Sequence, residues 1–477
     1  MSLEYLYRFR SVHALLDGYH ELENQEIYFS PPDELNDPLE GFKDIFWRGD
    51  AIVWRNLLRH YLLNLLDTIS IYGISGKEFD QKTCQYLVHK TESDLQDAPI
   101  RTIYKNACDA FLQHPALDLL ITHLASESRA IRRDELRCHL RMLHPLATAK
   151  IAEELKRHGI HVLRVDAEFN SKPDEIAEKL QAALSARVQE PAMLDVIFAA
   201  SENVMAQLAL IQEANSPVPV DRQGWMFVVR DFPAFYVSSL ERLIYPDWHT
   251  ACFVADPTNA SMWGVYGNCH QGACLKFRVN RGGADMSSLD LNRISSWSGR
   301  PGSITPNYSF VPHQFHEVHY TTDFPEIDFF ESMGMIPGGK LVQSWLSDQN
   351  GNRSIVASRM LDGDKSWHEE HWNRYTQSFR TKSSEWAHER EHRLILNSMG
   401  AGEFPDKPSR KLKYRFSDLA GIVFGIKTST QDKLAIMRVI EQKCRAENRN
   451  DFEFWQARYS HPKRKIELAP MTLLRIV

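Results

Sequence analysis

Apolar and polar positions follow two different patterns along this chain. Residues 5–9 and 26–30 are short runs rich in aromatic residues, which predicts two strands. Ser11 lies between them and can cap a short helix that runs through Leu16. Three prolines then interrupt regular structure, so residues 31–40 are predicted to form an irregular loop.

The pattern changes to helical spacing between residues 51 and 215. Apolar side chains recur on one face of the first predicted helix, at Trp54, Leu57, Leu58, Tyr61, Leu62 and Leu65. Further helices are predicted at 151–157, 174–188 and 192–213. We therefore interpret 51–215 as a helical insertion or accessory domain in an α+β protein, whose core consists of 1–50 and 216–477.

Residues after 215 return to the spacing of strands. Strands are predicted where short apolar or β-branched runs lie between turn signals, at 226–229, 250–254, 273–277, 318–320, 394–396, 420–426 and 451–457. Helices are predicted at 262–266, 367–378 and 433–444. The stretch 282–314 is polar and rich in Ser, Asn and Pro, so it is predicted to be a long loop.

The densest group of ionisable residues lies in 379–396. Glu389 and Glu391 are two positions apart, on the approach to a short apolar strand. Residues two apart on a strand share a face, so the two carboxylates should converge. Converging carboxylates raise each other's pKa or need cations nearby. Three cations in the segment could balance them: Lys382, Arg390 and Arg393. The segment is either a surface ion-pair network or a functional site.

Composition narrows the class of protein. A chain of 477 residues is expected to form two or three domains, and 43% hydrophobic with 25% charged residues is typical of a soluble globular protein. The net charge of −6 gives no general affinity for nucleic acid or anionic membranes, although a local basic groove is compatible with it. The seven scattered cysteines predict a reducing compartment.

The sequence contains no targeting pattern that we identify. The first residues lack a basic stretch followed by an apolar one, so no signal peptide is predicted. The most apolar stretch, 51–73, carries polar residues throughout and is not expected to span a membrane. We therefore expect a cytoplasmic protein without a membrane partner, and the sequence does not indicate its oligomeric state.

Three stretches resemble a bacterial family catalogued only as domain of unknown function number 2971. They are YFSPPDELNDPLEG at 28–41, MWGVYGNCHQGACLKF at 262–277, and the segment 382–393. Residues 7–10 and 423–425 are also similar to the family. The helical region 51–215 is longer than the resemblance implies. The resemblance implies a shared core but no activity.

A second resemblance is to ADP-ribosyltransferases. In some of those enzymes the first strand carries an Arg, a later strand a Ser, and a third strand Glu-x-Glu. The matching positions here are Arg8 or Arg10, Ser30, and Glu389 with Glu391. The resemblance implies a split core of mixed or antiparallel strands that binds NAD and cleaves its nicotinamide–ribose bond. It also implies a nucleic acid or protein as acceptor, and a toxin or phage-defence effector as one role.

The resemblance implies a role for each matching residue. Glu391 would hold a ribose hydroxyl and stabilise positive charge as the bond breaks, and Glu389 would orient or deprotonate the acceptor. Arg8 or Arg10 would clamp phosphate with its planar guanidinium. Three aromatic residues are candidates to stack on a ring of the ligand: Tyr28, Trp263 and Tyr266. The alternative for the carboxylates is a solvated strand end with ordinary ion pairs.

Other candidate residues have structural alternatives as well. Asn36, in an Asn-Asp-Pro loop, would position a ligand or Arg8, or else form a rigid turn. His270 would act as a general acid or donate to phosphate, or else be a packed, hydrogen-bonded histidine. Trp263 and Tyr266 are three apart, which is also typical of a core-facing side of a helix.

No metal site is predicted. Cys269 and Cys274 lack zinc-finger spacing, and the histidines of 368–371 are three apart instead of four. Two functions other than NAD cleavage are compatible with the sequence. One is a metal-dependent nuclease or hydrolase, with a candidate ligand set of Asp37, Glu40 and Glu391. The other is a non-enzymatic sensor or binding protein whose helical region recognises a partner.

Overall fold

The computed structural model describes residues 4–160, 178, 182, 191–215, 223–281, 287–300, 303–361, 365–397 and 404–474. The protein is α+β, as the sequence predicts, with a large curled mixed sheet and many helices. The chain divides into two compact units. The first unit contains Met1–Phe42, Asp247–Phe324 and Tyr375–Val477, and the second contains Lys43–Pro246 and Pro325–Arg374.

Strands occur in both units. The described strands are β1 (Tyr5–Arg10), β2 (Glu26–Tyr28), β3 (Asp44–Trp47), β4 (Ile131–Arg132), β5 (Trp248–Val254), β6 (Ala273–Arg278), β7 (Asn280–Arg281), β8 (Ser287–Arg300), β9 (Ser303–Glu317), β10 (His319–Thr321), β11 (Glu326–Asp328), β12 (Thr381–Ser383), β13 (Glu391–Asn397), β14 (Lys411–Tyr414), β15 (Leu419–Phe424), β16 (Glu453–Ser460) and β17 (Lys465–Pro470). Twelve of these described strands form one sheet in the first unit, in the order β17-β16-β15-β6-β1-β5-β13-β9-β8-β14-β2, with β7 beside β8.

Helices fill the second unit and flank the sheet of the first. The described α-helices are α1 (Val12–Leu15), α2 (Glu21–Asn24), α3 (Ala51–Ser75), α4 (Ala98–Leu112), α5 (Pro115–Ser126), α6 (Arg133–Arg157), α7 (Pro191–Asn215), α8 (Gln223–Met226), α9 (Phe232–Ser239), α10 (Ala260–Val265), α11 (Gly338–Ser344), α12 (Val356–Leu361), α13 (Lys365–Arg380) and α14 (Thr430–Ala446). Ser11 caps α1 as predicted, because its hydroxyl accepts a hydrogen bond from the Ala14 amide at 3.2 Å.

The large sheet opens between β1 and β5. β1 pairs with β6 along its whole length but meets β5 at a single pair, Tyr7 with Val254. Farther along β5, Ser30 takes the place of β1 and forms an isolated bridge with Thr250. The two strands therefore diverge and leave a cleft, while the apolar side chains of the neighbouring strands pack into a continuous core below it.

The long helix α3 of the second unit is buried almost all round, whereas its sequence predicts one apolar face. Its polar residues are tolerated because they find partners within the unit. Asn56 donates to the carbonyls of Trp345 and Ser347, both at 2.9 Å. His60 is hydrogen-bonded to the Tyr236 hydroxyl at 2.8 Å. Burial lowers the pKa of His60 to about 4, so the ring is neutral at pH 7.

Two predicted elements differ in the structure. Residues 226–229, predicted as a strand, are helical, and a π-helical turn at Phe227–Asp231 joins α8 to α9. A short apolar run does not by itself distinguish a buried helix from a strand. Residues 282–314, predicted as a loop, contain most of the β8–β9 hairpin. Its polar composition reflects exposure, because the described residues of its far end are almost all exposed.

The second unit is larger than the predicted insertion 51–215. It includes Pro325–Arg374, because β11 pairs in parallel with β3 and aligns Ile327 with Ile45. Of the predicted helix 174–188 only residues 178 and 182 are described, and both are helical, while the rest of the prediction lies outside the described residues. The helix predicted at 192–213 is α7. Within α7, Met193–Asn215 is long and apolar enough to cross a membrane, by length and composition alone.

Candidate functional site

A cavity of about 220 Å³ lies in the first unit, where β1 and β5 diverge. Most of the site residues predicted from the sequence line it, namely Arg8, Arg10, Ser30, Asn36, Tyr266, Glu389 and Glu391. Lys382, Cys252 and Thr250 are also lining residues. Tyr28, Trp263 and His270 are not among the lining residues.

Glu389 and Glu391 reach the cavity by a different route from the one predicted. Glu391 is the first residue of β13, but Glu389 ends a 3₁₀ turn, Ser384–Glu389. Arg390 lies between them with φ of 49°, in the left-handed region, so the chain bends sharply there. The carboxylates therefore do not share a strand face. Lys382 joins them instead, since its Nζ donates to Glu389 at 2.6 Å and to Glu391 at 3.3 Å.

Arg393 extends this pair into a larger group. Its guanidinium uses all five of its N–H donors. They go to Glu391 at 2.9 and 3.1 Å, to Glu40 at 2.6 and 2.8 Å, and to the Phe379 carbonyl at 2.9 Å. The Arg393 side chain has no exposed surface, whereas Arg390, which the sequence also offers as a cation for the carboxylates, is exposed. We name Glu40, Lys382, Glu389, Glu391 and Arg393 the ion cluster.

The ion cluster contains three carboxylates and two cations, a formal charge of −1. Burial would raise the pKa of Glu391, but Arg393 and Lys382 outweigh burial and hold that pKa at about 2. Burial raises the pKa of Glu40 against the opposing effect of Arg393. Burial lowers the pKa of Lys382, but Glu391 and Glu389 outweigh it, and the pKa lies above its ordinary value. Glu391 is therefore ionised at neutral pH.

Acid should destabilise the protein through Glu391. The pKa of this carboxyl falls from an ordinary 4.5 to about 2 on folding, so the folded state binds its proton more weakly. The resulting stabilisation, about 3 kcal/mol, is complete above the ordinary pKa and is lost as the pH falls toward the folded value. We expect the free energy of unfolding in urea to drop more steeply with acid for the wild type than for Glu391→Gln. Equal slopes would contradict this assignment.

Arg8 crosses the gap between β1 and β5. It donates to the carbonyls of Cys252 at 3.3 Å and Tyr28 at 2.9 Å, and its guanidinium lies 5.5 Å from the centre of the Phe253 ring. Its Nε is buried without a hydrogen-bond partner among the described residues. Burial and neighbouring Arg10 lower its pKa to about 10, so Arg8 is still a cation at pH 7. A buried cation that bonds to no carboxylate of the described chain suits an anionic ligand.

The other predicted residues of the N-terminal stretch are held by the chain itself. Arg10 forms a two-point ion pair with Glu21, with its Nε at 2.7 Å from the carboxylate, so its charge is compensated. The backbone of Ser30 exchanges two hydrogen bonds of 2.8 Å with Thr250. Asn36 lies just beyond the 3₁₀ turn Pro32–Glu34 and lines the cavity. Arg8 is therefore better suited than Arg10 to clamp phosphate.

Trp263 and His270 lie away from the cavity. Trp263 has no exposed surface, packs edge-on against Phe9 at 4.8 Å and donates its Nε1–H to the Pro257 carbonyl at 2.8 Å. His270 stacks on Trp263 with ring centres 6.5 Å apart, and burial and Lys427 lower its pKa. Trp263 is therefore a core residue, whereas His270 packs on it but its buried Nδ1 has no hydrogen-bond partner among the described residues.

Of the two tyrosine candidates, Tyr266 lines the cavity and Tyr28 does not. The Tyr28 hydroxyl donates to Glu34 at 2.8 Å, and burial together with Glu34 raises its pKa to about 12. Tyr266 lines the cavity, and its hydroxyl donates to Glu389 at 2.7 Å. Of the three aromatic candidates, Tyr266 is the one at the cavity.

The stretch 262–277 contains an unusual backbone turn. Asn268, Cys269 and His270 have successive positive φ values of 48°, 52° and 69°, which L-residues rarely adopt. Backbone hydrogen bonds hold the turn, including His270 N–H to the Trp263 carbonyl at 3.1 Å. The turn joins α10 to β6, and it follows directly on Tyr266, which contacts Glu389.

Gly272→Ala should destabilise this turn. A Cβ at Gly272 would lie 2.3 Å from the Arg10 carbonyl oxygen and 3.0 Å from that of Gly267. Backbone atoms held in a sheet cannot retreat easily, so we expect a loss of about 2 kcal/mol in urea unfolding. Gly264→Ala is the matched control, because a Cβ there meets nothing within 4 Å. We expect the control to be neutral or slightly stabilising, and two equally stable variants would contradict the packing described.

Several residues that complete the site are not predicted from the sequence. Glu40 is a candidate metal ligand by its sequence, yet it binds Arg393 across 353 residues of sequence. The Tyr320 hydroxyl accepts a hydrogen bond from the Glu391 amide at 2.8 Å. The Cys252 thiol lies against Glu391, and burial raises its pKa. No local spacing signals these contacts, because the partners are distant in sequence and meet only in the folded chain.

The ion cluster also bears on the alternative of a metal-dependent hydrolase. Arg393 donates to both carboxylate oxygens of Glu40 and of Glu391, and so occupies the positions that a cation would take. Among the described residues, no group of three or more His, Cys, Asp or Glu side chains is arranged to hold a metal ion.

Comparisons with family models, curated proteins and solved structures find no match to this chain. The resemblances to the family of unknown function and to ADP-ribosyltransferases therefore rest on the motifs in the sequence.

Proposed function

We propose that this protein cleaves NAD at the nicotinamide–ribose bond and transfers ADP-ribose to a macromolecule. The observation that carries the proposal is the charge distribution of one cavity. Arg8, a buried cation that bonds to no carboxylate of the described chain, shares that cavity with the negatively charged ion cluster. NAD has matching polarity, because its reacting ribose lies between a cationic nicotinamide and an anionic pyrophosphate.

The size of the cavity limits what it can take. At about 220 Å³ it is smaller than the roughly 300–1,000 Å³ of cavities that enclose a whole drug-sized ligand. We infer that the nicotinamide–ribose end of NAD enters with the phosphate that reaches Arg8, and that the adenosine stays outside. The ring of Tyr266, which lines the cavity, is the surface for the nicotinamide.

The chemistry follows from the charges. When the bond between nicotinamide and ribose C1′ breaks, its electron pair leaves with nicotinamide and positive charge develops on the ribose. Ionised Glu391, with a pKa of about 2, stabilises that charge and is too weak a base to take a proton. Glu389, held by Tyr266 and Lys382, accepts the proton that the acceptor loses as its bond to C1′ forms.

The arrangement of strands supports the same proposal. Arg8 is on β1, Glu391 begins β13, and Ser30 bridges to β5 between them, so the three matching residues surround the cleft where the sheet splits. We propose on this basis that the chain has an ADP-ribosyltransferase-like core and belongs to the family of unknown function that its motifs resemble. We propose a toxin or phage-defence effector as its role, because ADP-ribose attached to a macromolecule can block that macromolecule's function.

Release of nicotinamide from NAD by the purified protein tests this proposal. We expect release with and without a chelator, and transfer of label from NAD labelled in the adenosine part to macromolecules of a cell lysate. A metal-dependent hydrolase would instead be inhibited by the chelator and would leave NAD intact. If folded protein releases no nicotinamide in the presence of the lysate, the proposal is wrong.

A further inference from the structure

A second surface of the first unit carries cations and aromatic rings on one face of a sheet. Lys411 and Lys413 are two apart on β14, so they share a face, while Leu412 and Tyr414 between and beside them are buried in the core. Lys413 pairs with Asn292 on β8, which pairs with Phe310 on β9. Successive strands therefore extend the same face sideways.

The next row of this face adds an exposed ring. Ile294 on β8 pairs with Tyr308 on β9, and 63% of Tyr308 is exposed. A groove of about 410 Å³ runs along these strands, lined by Arg293, Tyr308, Lys411 and Lys413 among others. Arg415 lies at the end of β14, with its guanidinium 4.3 Å from the centre of the Phe310 ring. We name Lys411, Lys413, Asn292, Tyr308 and Phe310 the hairpin face.

The charge of the hairpin face is positive, although the whole chain is acidic. Two carboxylates lie near Lys411, Lys413 and the adjoining Arg415, so the cations exceed them by one. Glu26 pairs with Lys413 across the strands and lies 3.9 Å from Lys411, and Asp290 lies 3.8 Å from Arg415. Lys413 is exposed and forms no ion pair with another described residue. Cations repeated along a strand beside an exposed aromatic ring fit a partner with regularly spaced phosphates and flat bases.

The hairpin face is continuous with the rim of the cavity. Lys411 pairs with Tyr28 on β2, and the Tyr28 hydroxyl donates to Glu34, a lining residue of the cavity. Lys407 lies 3.5 Å from the same Glu34 carboxylate. A chain bound along the hairpin face would therefore pass the opening where ADP-ribose is transferred.

We propose that the hairpin face binds single-stranded nucleic acid and presents it to the cavity as the acceptor of ADP-ribose. The claim that the bound strand accepts ADP-ribose rests on the proposed function, whereas the claim that the hairpin face binds single strands does not. Single strands fit better than duplexes, because stacking on Tyr308 needs a base whose face is free. A protein acceptor is the competing possibility, and it would not need stacking or a salt-dependent interaction with phosphates.

Binding without NAD tests the surface by itself. Fluorescence anisotropy would be measured with short labelled single-stranded DNA, single-stranded RNA and duplex DNA over a range of salt concentrations. We expect single strands to bind more tightly than the duplex, and the DNA and RNA arms show which strand is preferred. The salt slope is the fall in the logarithm of the binding constant with the logarithm of the salt concentration. Each phosphate contact contributes about 0.7 to it, so the double variant Lys411→Gln with Lys413→Gln should lower the slope by about 1.4.

Tyr308→Ala separates stacking from charge. It should weaken single-strand binding about 10-fold while leaving the salt slope unchanged, and should reduce label transfer to the strand. The control is Lys465→Gln, an exposed lysine on β17 at the opposite edge of the sheet, which should bind like the wild type. All these side chains are at least partly exposed, so the variants should fold.

Failure of this inference can be told from failure of the proposed function. If the wild type releases nicotinamide but binds no single strand, or if Lys465→Gln weakens binding as much as the double variant, the hairpin face is not an acceptor site and a protein acceptor is favoured. If the wild type binds single strands through Lys411, Lys413 and Tyr308 but never consumes NAD, the surface stands and the proposed reaction is wrong.

Discussion

Replacement of Arg393 by methionine should lower the free energy of unfolding by about 4 kcal/mol, the largest stability loss that we expect from a single change. The guanidinium is fully buried and bonds to Glu40, Glu391 and a backbone carbonyl. Methionine fills similar space, but the buried carboxylates of Glu40 and Glu391 lose the positive charge and hydrogen bonds of Arg393. Urea unfolding at neutral pH, followed by circular dichroism, measures the loss.

Two further variants show whether the loss comes from buried charge. Arg458→Met removes an exposed arginine from β16 and should change stability by no more than about 0.5 kcal/mol. Adding Glu40→Gln to Arg393→Met removes one of the stranded carboxylates and should recover part of the loss. If Arg393→Met is no less stable than Arg458→Met, the ion cluster does not contribute as a buried network.

The sequence predicts those features that depend on near neighbours. Ser11 caps α1 because its hydroxyl bonds to an amide three residues on, and that geometry is local. Residues 250–254 and 420–426 are recognised as strands because burial on both faces requires continuous apolar runs. Lys382 and Arg393 are likewise close enough to Glu391 in sequence to be identified as its cations.

What the sequence does not predict depends on pairing between distant segments or on backbone angles. Glu40 meets Arg393 because the fold brings distant segments together, and no pattern around Glu40 signals this contact. The shared strand face expected for Glu389 and Glu391 is wrong, because Arg390 adopts a left-handed conformation that is uncommon outside glycine. The hairpin in 282–314 is not predicted from the sequence, because an exposed polar strand has the composition of a loop.

Glu391→Gln should reduce kcat for nicotinamide release by at least about 100-fold, a prediction that rests on the proposed function. Glutamine has nearly the same shape, but its single carbonyl oxygen can accept only from Lys382 and one N–H of Arg393, and it carries no negative charge. The interaction lost is one that strengthens as positive charge develops on the ribose, so KM should change little. Steady-state release of nicotinamide, with unfolding measured in parallel, separates this effect from a loss of folded protein.

The pH dependence of kcat in the wild type shows whether Glu391 acts as a permanent negative charge or as a proton acceptor. Because the pKa of Glu391 is about 2, its ionisation should produce no acid limb in kcat at any pH where the protein stays folded. Glu447→Gln, an exposed change beyond α14, is the matched control and should leave kcat unaltered. An acid limb that disappears in Glu391→Gln would show that this carboxyl titrates during turnover, and electrostatic stabilisation by a permanently ionised Glu391 would then be wrong.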